Sequence, residues 1–509
     1  MSEFFTVPAE LLCHVFTSLA DRLAEHFELK PTENNDVSAT ELNDDVFLHD
    51  PEDTIFQQFD NPDYPTDSSA WKVNMPSMKD SLKESAFFAF LVTVIVGGLM
   101  GLASLLLMYF NISTVYACEW KPLTDPTYPL KLKKRRIMGE SYQSFVLYFW
   151  QPVLMCVVFK WSFLKDVNLF TCTLIGASID LGYRFFLSVY DLYHPPWRPY
   201  PLNVLYMGVI LTTSFSISRK IFKYSFFRAT VLASKLCSQF VTGAVVMYIL
   251  SYALIPWFAH QEGFFEVLAL GLTFLVCVIP KVISRQCVLH LNGVNHPGTS
   301  FALVSAAYGG VNIVYRLMQA KFKSLLAFTA LSIGYGFIHL AYDLINVLRG
   351  RSEKLQRIVY SKLKPDTAGL ATSSNMNTPR AQRLAADLAI QEMMFSSTAL
   401  VLSVGIISVY GFSYQTMSIE EFQKTTGDLA TRIFLGLFIE FLFNTVSVML
   451  LTRRRNVPVL RVWYSKWKTH LTVCSIAVVM IMTYSIDKML IIIRARYVAK
   501  GKLQSIGCY

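Results

Sequence analysis

The most constraining feature of this sequence is a long uncharged stretch near its start. Residues 85–118 contain no Asp, Glu, Lys or Arg, and most of them are apolar. A helix that crosses the hydrocarbon core of a bilayer needs about 20 predominantly apolar residues. The stretch is therefore long enough for a first membrane span over about residues 86–110.

The composition of the whole chain predicts several such spans. Of 509 residues, 53% are hydrophobic and only 16% are charged, whereas a soluble protein would carry about 25% charged residues. We predict an all-α polytopic transmembrane bundle of about eleven helices. Three candidates are short or rich in Gly, Ser and Asn (202–218, 264–283 and 300–317), so the count is open between ten and twelve. The remaining predicted spans are 86–110, 142–160, 168–190, 236–257, 324–348, 392–413, 431–452 and 469–490.

Charge divides the chain into segments. Residues 1–80 carry 17 acidic and 4 basic residues, whereas the remainder carries 19 acidic and 42 basic residues. The basic excess lies in short loops beside apolar segments, so membrane topology explains it better than nucleic-acid binding. We predict an acidic tail at 1–80, a first membrane segment of about eight helices at 81–348, a basic loop at 349–390, a second membrane segment of about three helices at 391–493, and a short basic tail at 494–509.

The basic loops predict the orientation of the bundle. Basic residues cluster at 219–228, 349–390 and 453–468, and strict alternation of eleven spans puts all three clusters on one side. Cytoplasmic loops carry the excess of Lys and Arg, so the N-terminus is predicted to be cytoplasmic and the C-terminus to lie outside. The basic cluster at 131–136 would then lie outside, which means that an early segment is re-entrant or that the count is wrong by one.

The acidic tail begins with a helical pattern. Apolar residues recur at three- and four-residue spacing over 12–27, which predicts a short amphipathic helix. The sequence VPAELLCHVFTSLADRL at 7–23 also resembles the opening of an F-box, with a simple docking helix as the alternative. Residues 30–80 contain few apolar residues and are predicted to be disordered.

A second motif lies in the same tail. Residues 59–64 have the pattern FxNPxY, which resembles the signal bound by endocytic adaptors and phosphotyrosine-binding domains. The Asn-Pro pair favours a turn that presents the two aromatic residues together. The resemblance implies a cytoplasmic adaptor as a partner, and a chance match is the alternative. The motif residues are Phe59, Asn61, Pro62 and Tyr64.

Three predicted spans share a polar pattern. Each has an ionisable residue followed four positions later by a polar one, so both lie on one helix face. A charge in hydrocarbon costs several kcal/mol unless it is paired or hydrated. The pattern favours either a proton or cation relay, or local pairs that lock helices together. The candidate transport path consists of Asp180, Arg184, His339, Asp343, Glu440 and Asn444.

Outside the spans, the sequence indicates lipid contact rather than chemistry. The run at 219–228 alternates bases with aromatic residues, which suits anionic lipid headgroups. No hydrolase, metalloprotease, kinase or phosphate-loop signature occurs, and the cysteines have no CxxC pair, so we expect neither a cofactor nor a metal. A transporter or channel is the leading function, with a receptor-like scaffold and an embedded enzyme as alternatives. The predicted headgroup contacts are Arg219, Lys220, Lys223 and Arg228.

The topology is testable with inserted protease-cleavable tags. We expect a tag at the N-terminus and a tag within 365–378 to be cleaved from the same side of sealed vesicles, because both belong to the predicted cytoplasmic face. A tag within the acidic loop at 414–430 is the control and should be cleaved only from the other side. Opposite accessibility of the first two tags would contradict the topology and the adaptor interpretation together.

Overall fold

The structure is a computed structural model of an all-α chain, which confirms the predicted fold class. It describes residues 77–117, 128–159, 164, 167–190, 192, 199–220, 225–291, 294, 297–341, 344, 379–414, 418–455, 457 and 459–498, and these contain no strand. The acidic tail with its two motifs lies outside the described residues, as do most of the loop at 349–390 and the tail from 499 onward. The described helices are α1 (Met78–Thr114), α2 (Leu130–Tyr148), α3 (Trp150–Val158), α4 (Leu169–Val189), α5 (Pro199–Lys220), α6 (Phe226–Leu236), α7 (Ser238–His260), α8 (Phe264–Leu289), α9 (Ser305–Lys321), α10 (Leu325–Ala341), α11 (Pro379–Tyr414), α12 (Ile419–Arg455) and α13 (Val459–Val498).

Eight of these helices are long and apolar enough to cross a membrane, namely α1, α4, α5, α7, α8, α11, α12 and α13. The structure therefore fits a multi-pass membrane protein. The other three predicted spans correspond to shorter elements. The span predicted at 142–160 is divided between α2 and α3, and α9 and α10 have 17 residues each in the described chain. The count of eleven stays a prediction.

Helix α11 is the centre of the bundle. In its most apolar 18-residue window 94% of the residues are buried, compared with 28% in the window of α1. Small residues allow neighbouring helices to approach α11 closely, and its middle contains Ser396, Ser397 and Gly405. The surrounding helices therefore pack against α11.

The contacts of α1 with α11 fix the relative direction of the two helices. Gly101 of α1 lies against Val401 of α11. Four residues further along both helices, Leu105 lies against Gly405, so the two helices run parallel. Both helices therefore begin on one side of the bundle. That the acidic tail and the loop at 349–390 share the cytoplasmic side stays a prediction.

Helix α12 runs in the opposite direction. Its Gly436 lies against Leu400 of α11, and its Glu440 accepts a hydrogen bond from Ser396. Moving forward along α12 therefore means moving backward along α11. Since α13 begins four residues after α12 ends, the chain turns back at this end of the bundle.

Helix α11 begins at Pro379, within the segment 349–390 that the sequence analysis assigns to a loop. The reason is a set of buried partners for its first charged residues. Arg383 lies 3.3 Å from Asp387 one turn later, and Asp387 lies 3.1 Å from His470 of α13. Because these charges are paired, the helix continues inside the bundle where hydropathy alone would end it.

The close approach of α1 to α11 yields a prediction about stability. A Cβ atom at Gly101 would lie 2.6 Å from Val401 Cβ and 3.1 Å from the Thr398 carbonyl oxygen. We expect Gly101→Ala to lower the free energy of unfolding by about 1–3 kcal/mol, because the packed backbone must move apart. Thermal unfolding of the detergent-purified protein measures this loss.

The matched control is Gly98→Ala, three residues earlier on the same helix. No atom lies within 4 Å of a Cβ atom placed there, so this variant should be neutral or more stable by up to about 1 kcal/mol. Equal unfolding temperatures for the two variants would contradict the assigned contact of α1 with α11.

Candidate functional site

The first predicted polar pair, on α4, is satisfied locally. Asp180 is 2% exposed, and its carboxylate lies 2.6 Å from Arg184 Nε one turn later. The same carboxylate accepts hydrogen bonds from Ser144 at 3.1 Å and from Tyr148 at 3.2 Å, both on α2. Arg184 also donates to Ser144 at 3.1 Å. The pair therefore links α4 to α2, and a buried carboxylate with three donors has no further need of a ligand.

A larger group of charges surrounds a carboxylate that the sequence analysis did not select. Glu392 of α11 lies 2.5 Å from Lys281 Nζ of α8 and 3.1 Å from His339 Nε2 of α10. The carboxylate oxygen that faces His339, Oε1, also accepts a hydrogen bond from Asn312 of α9 at 3.2 Å. The hydroxyl of Tyr335 lies 3.3 Å from the same carboxylate oxygen and donates to Asn312 at 2.7 Å.

Next to Glu392, a second ion pair joins α9 and α12. Arg316 is 1% exposed and pairs with the carboxylate of Glu440. Ser396 of α11 connects the two, because it donates to Glu440 at 2.8 Å and accepts from Arg316 at 3.2 Å. Arg316 also donates to Gln319 at 2.7 Å, and its guanidinium lies 4.5 Å from the centre of the Tyr335 ring. Tyr335 therefore contacts both ion pairs.

We call these five ionisable residues the charge cluster. They come from five helices, α8 to α12, and carry two acidic, two basic and one titratable imidazole group. Within these five residues the two carboxylates are matched by two basic side chains, as buried ions require, and Arg285 adds a further basic side chain on the wall of the neighbouring cavity. The charge cluster consists of Lys281, Arg316, His339, Glu392 and Glu440.

The charge cluster borders a cavity of about 90 Å³. Lys281, His339, Glu392 and Glu440 line it, whereas Arg316 does not and is sealed behind them. The exposed fraction of the side chain is 26% for His339 and 15% for Glu392. A polar cavity of this size has room for several water molecules with partners on its walls. The remaining lining residues include Arg285, Ala385, Asn444, Ser447 and Leu451.

The lining residues show where the cavity extends. Leu451 and Ser447 lie near the end of α12, and Ala385 lies near the start of α11. Because α11 and α12 are antiparallel, these positions lie at the same end of the bundle, next to Arg453 and Arg454. The cavity therefore extends from the charge cluster toward the side that the sequence analysis assigns to the cytoplasm.

This geometry supports proton exchange more readily than cation binding. The imidazole of His339 and the carboxylate of Glu392 are within hydrogen-bonding distance and both border the same cavity. The fixed charges of Lys281 and Arg316 would repel a metal cation, and the described residues contain no group of three or more His, Cys, Asp or Glu able to hold one.

A separate polar contact ties α11 to α13. His470 is fully buried, and its two ring nitrogens lie 3.1 Å from Asp387 and 2.9 Å from Gln391. The ring stacks on Phe301 with centroids 4.4 Å apart. None of these residues lines the cavity, so this contact positions the first turns of α11 without belonging to the candidate site.

The structure separates the six residues of the predicted transport path. His339 and Glu440 belong to the charge cluster, and Asn444 lines the cavity while donating to Thr93 of α1 at 2.9 Å. Asp180 and Arg184 lie apart from the cavity, in the tether between α2 and α4. Asp343 lies outside the described residues.

The predicted headgroup contacts lie at helix ends. Arg219 and Lys220 are exposed at the end of α5, and Arg228 is exposed in the first turn of α6. Lys223 lies outside the described residues. Their contact with anionic lipid stays a prediction.

Sequence reasoning missed Lys281, Arg316 and Glu392. Each lies at the edge of a predicted span, where a charge is expected to reach the membrane interface. The helices continue beyond those edges: α8 to Leu289, α9 to Lys321, and α11 back to Pro379. The signal in the sequence was that these charged residues lie inside helices and can pair with opposite charges on other helices. The predicted spans ended too close to these residues for them to count as intramembrane charges.

No protein family model matches the chain, and neither a curated protein nor a solved structure is significantly similar to it. The functional argument therefore depends on the geometry of the site alone.

The buried pair of Arg316 and Glu440 is testable by a double-mutant cycle. We expect Arg316→Met or Glu440→Leu alone to lower the free energy of unfolding by about 3–5 kcal/mol, because each leaves one buried charge unpaired. The double variant removes both charges and should be much closer to wild type. Chemical or thermal unfolding in detergent measures all three. Additive losses would show that the two side chains do not interact.

Proposed function

We propose that this protein is a membrane transporter in which protons move through the charge cluster. The observation that carries the proposal is the convergence of ionisable side chains from four helices, α8, α10, α11 and α12, on one cavity, with Arg316 of α9 paired to Glu440 behind it. Ionisable residues inside a membrane bundle are costly, and they commonly mark proton or substrate pathways.

The exchanging pair is His339 and Glu392. Their atoms lie 3.1 Å apart and both border the cavity, so a proton can pass between them and water. Lys281, with its Nζ at 2.5 Å from Glu392, is the ionic partner of this carboxylate. Protonation of His339 would change the net charge of the cluster from zero to positive, and that change favours entry of an anion or release of a proton.

The second pair serves as a fixed end of the pathway. Arg316 lies behind the cavity lining, and its guanidinium, a group that stays protonated in proteins, pairs with Glu440. The hydroxyl of Ser396 forms hydrogen bonds to both members of this pair. Tyr335 contacts one member of each pair, Arg316 and Glu392. Hydroxyl groups that both donate and accept hydrogen bonds suit the connection of proton carriers.

Proton flux into reconstituted vesicles tests the proposal. Vesicles containing a trapped pH-sensitive dye receive a membrane potential from a potassium gradient and valinomycin, and the rate of internal pH change is recorded. Wild-type vesicles should acidify faster than empty vesicles. His339→Gln should abolish the difference, because glutamine is polar and of similar size but does not titrate. Glu392→Gln should have the same effect.

The matched control is Asp180→Asn. It also removes a buried carboxylate that pairs with a cation, but it acts in the tether of α4 to α2 outside the cavity. This variant should keep wild-type flux even if it is less stable. Wild-type flux no faster than in empty vesicles would contradict the proposal, as would unchanged flux in His339→Gln and Glu392→Gln. In either case the charge cluster would be a structural lock between helices.

A further inference from the structure

A second, larger cavity lies on the other side of α8 and α9 from the charge cluster. It has a volume of about 790 Å³ and is bordered by α5, α7, α8, α9 and α13 together with Trp150. We call it the apolar groove. Binding sites for one drug-sized molecule have volumes of about 300–1,000 Å³, so the apolar groove has room for a single lipid-like ligand.

The apolar groove is open to the surroundings of the bundle along α5 and α7. Val204 and Val245 line it and are 73% and 59% exposed. Both lie on helices that are long and apolar enough to cross a membrane. A ligand would therefore enter from the hydrocarbon of the bilayer rather than from water.

The lining contains no charged residue. Asp, Glu, Lys and Arg are all absent from the 28 side chains that border the apolar groove in the described chain. A phospholipid headgroup or a fatty-acid carboxylate would lack an ionic partner there, and an uncompensated charge at this position is costly. The lining therefore fits a neutral ligand.

Two buried polar atoms of the lining have no hydrogen-bond partner among the described residues. They are the indole Nε1 of Trp150, a residue that is 93% buried, and the hydroxyl of Tyr206. The neighbouring Gln239 is satisfied by Ala302 and Ala306. Orphaned buried donors are rare in proteins and call for an explanation. An oxygen atom of a bound ligand would accept a hydrogen bond from either group.

Three glycines give the apolar groove smooth walls. No atom lies within 4 Å of a Cβ atom placed at Gly208, Gly243 or Gly310, so each of these positions faces open space. At one end the tyrosine rings of α5 and α7 stack, with centroids 6.2 Å apart for Tyr200 and Tyr248. Flat walls and stacked rings favour a rigid, flat molecule over a flexible chain.

From these features we infer that the apolar groove binds a neutral, flat lipid of the sterol class, whose single oxygen accepts a hydrogen bond from Trp150 or Tyr206. The volume, the uncharged lining, the orphaned donors and the flat walls each support this ligand class. The inference does not depend on proton movement through the charge cluster.

Photolabelling of the full-length protein in phosphatidylcholine vesicles tests the inference. A diazirine-bearing sterol is added at increasing concentration, and labelled peptides are mapped by mass spectrometry. Labelling should saturate, should map to α5, α7 or α9, and should decrease when unlabelled sterol competes. Trp150→Phe keeps an aromatic six-membered ring but removes the N–H group together with the five-membered ring, and it should weaken apparent affinity by at least about three- to tenfold, the loss expected for one hydrogen bond.

Filling the groove provides the decisive comparison. Gly243→Leu and Gly310→Leu place a side chain in open space, so they should keep the fold and lose the saturable labelling. Gly182→Leu is the matched control, because Gly182 also faces open space but lies on α4 away from the groove. It should label like wild type.

Several results would overturn the inference. Labelling that does not saturate, or that is equal in the filled variants and the control, would mean that the sterol probe contacts the bundle only as bulk lipid. A diazirine-bearing phosphatidylcholine that labels the groove and is not displaced by sterol would assign the site to an acyl chain instead.

Discussion

The polar contacts of Glu392 on α11 determine where the neighbouring helices pack. Glu392 lies in α11, whose apolar window is the most buried among the eight candidate membrane spans, and an unpaired charge there costs several kcal/mol. Lys281 and His339 approach it from α8 and α10, and Asn312 approaches from α9. Three helices are therefore held at one depth against α11 by a single carboxylate.

These polar contacts also determine the register of the helices. Apolar side chains and small residues allow α12 to slide along α11 at modest cost, because lipid and protein interior are similarly apolar. A slide by one helical turn, about 5.4 Å, would separate Glu440 from both Ser396 and Arg316. The ion pair therefore selects one register among several with comparable apolar packing, a role that buried polar groups have in other helical assemblies.

Sequence alone predicted the all-α class, the long apolar helices and the i,i+4 pair of Asp180 and Arg184, because each depends on residues that are close in the chain. It did not predict Glu392, since hydropathy ends a span at its first charges and therefore put the start of α11 at residue 392 instead of Pro379. The partners of Asp387 and Glu392 come from helices far away in the sequence, and no local spacing encodes those pairings. His339 and Glu440 were selected as members of local i,i+4 pairs with Asp343 and Asn444, but their common cavity with Lys281 depends on the packing of five helices.

Helix α8 borders both cavities. Pro280 borders the apolar groove, and the next residue, Lys281, pairs with Glu392 in the charge cluster. A proline inside a helix removes one backbone hydrogen bond and produces a bend at that point. A bend at Pro280 would therefore change the groove wall and the distance between Lys281 and Glu392 together. Helix α9 has the same double position, because Val311 borders the groove and Asn312 donates to Glu392. A ligand that fits only one bend of α8 would thus favour one arrangement of the ion pair, which is the physical requirement for coupling between two sites.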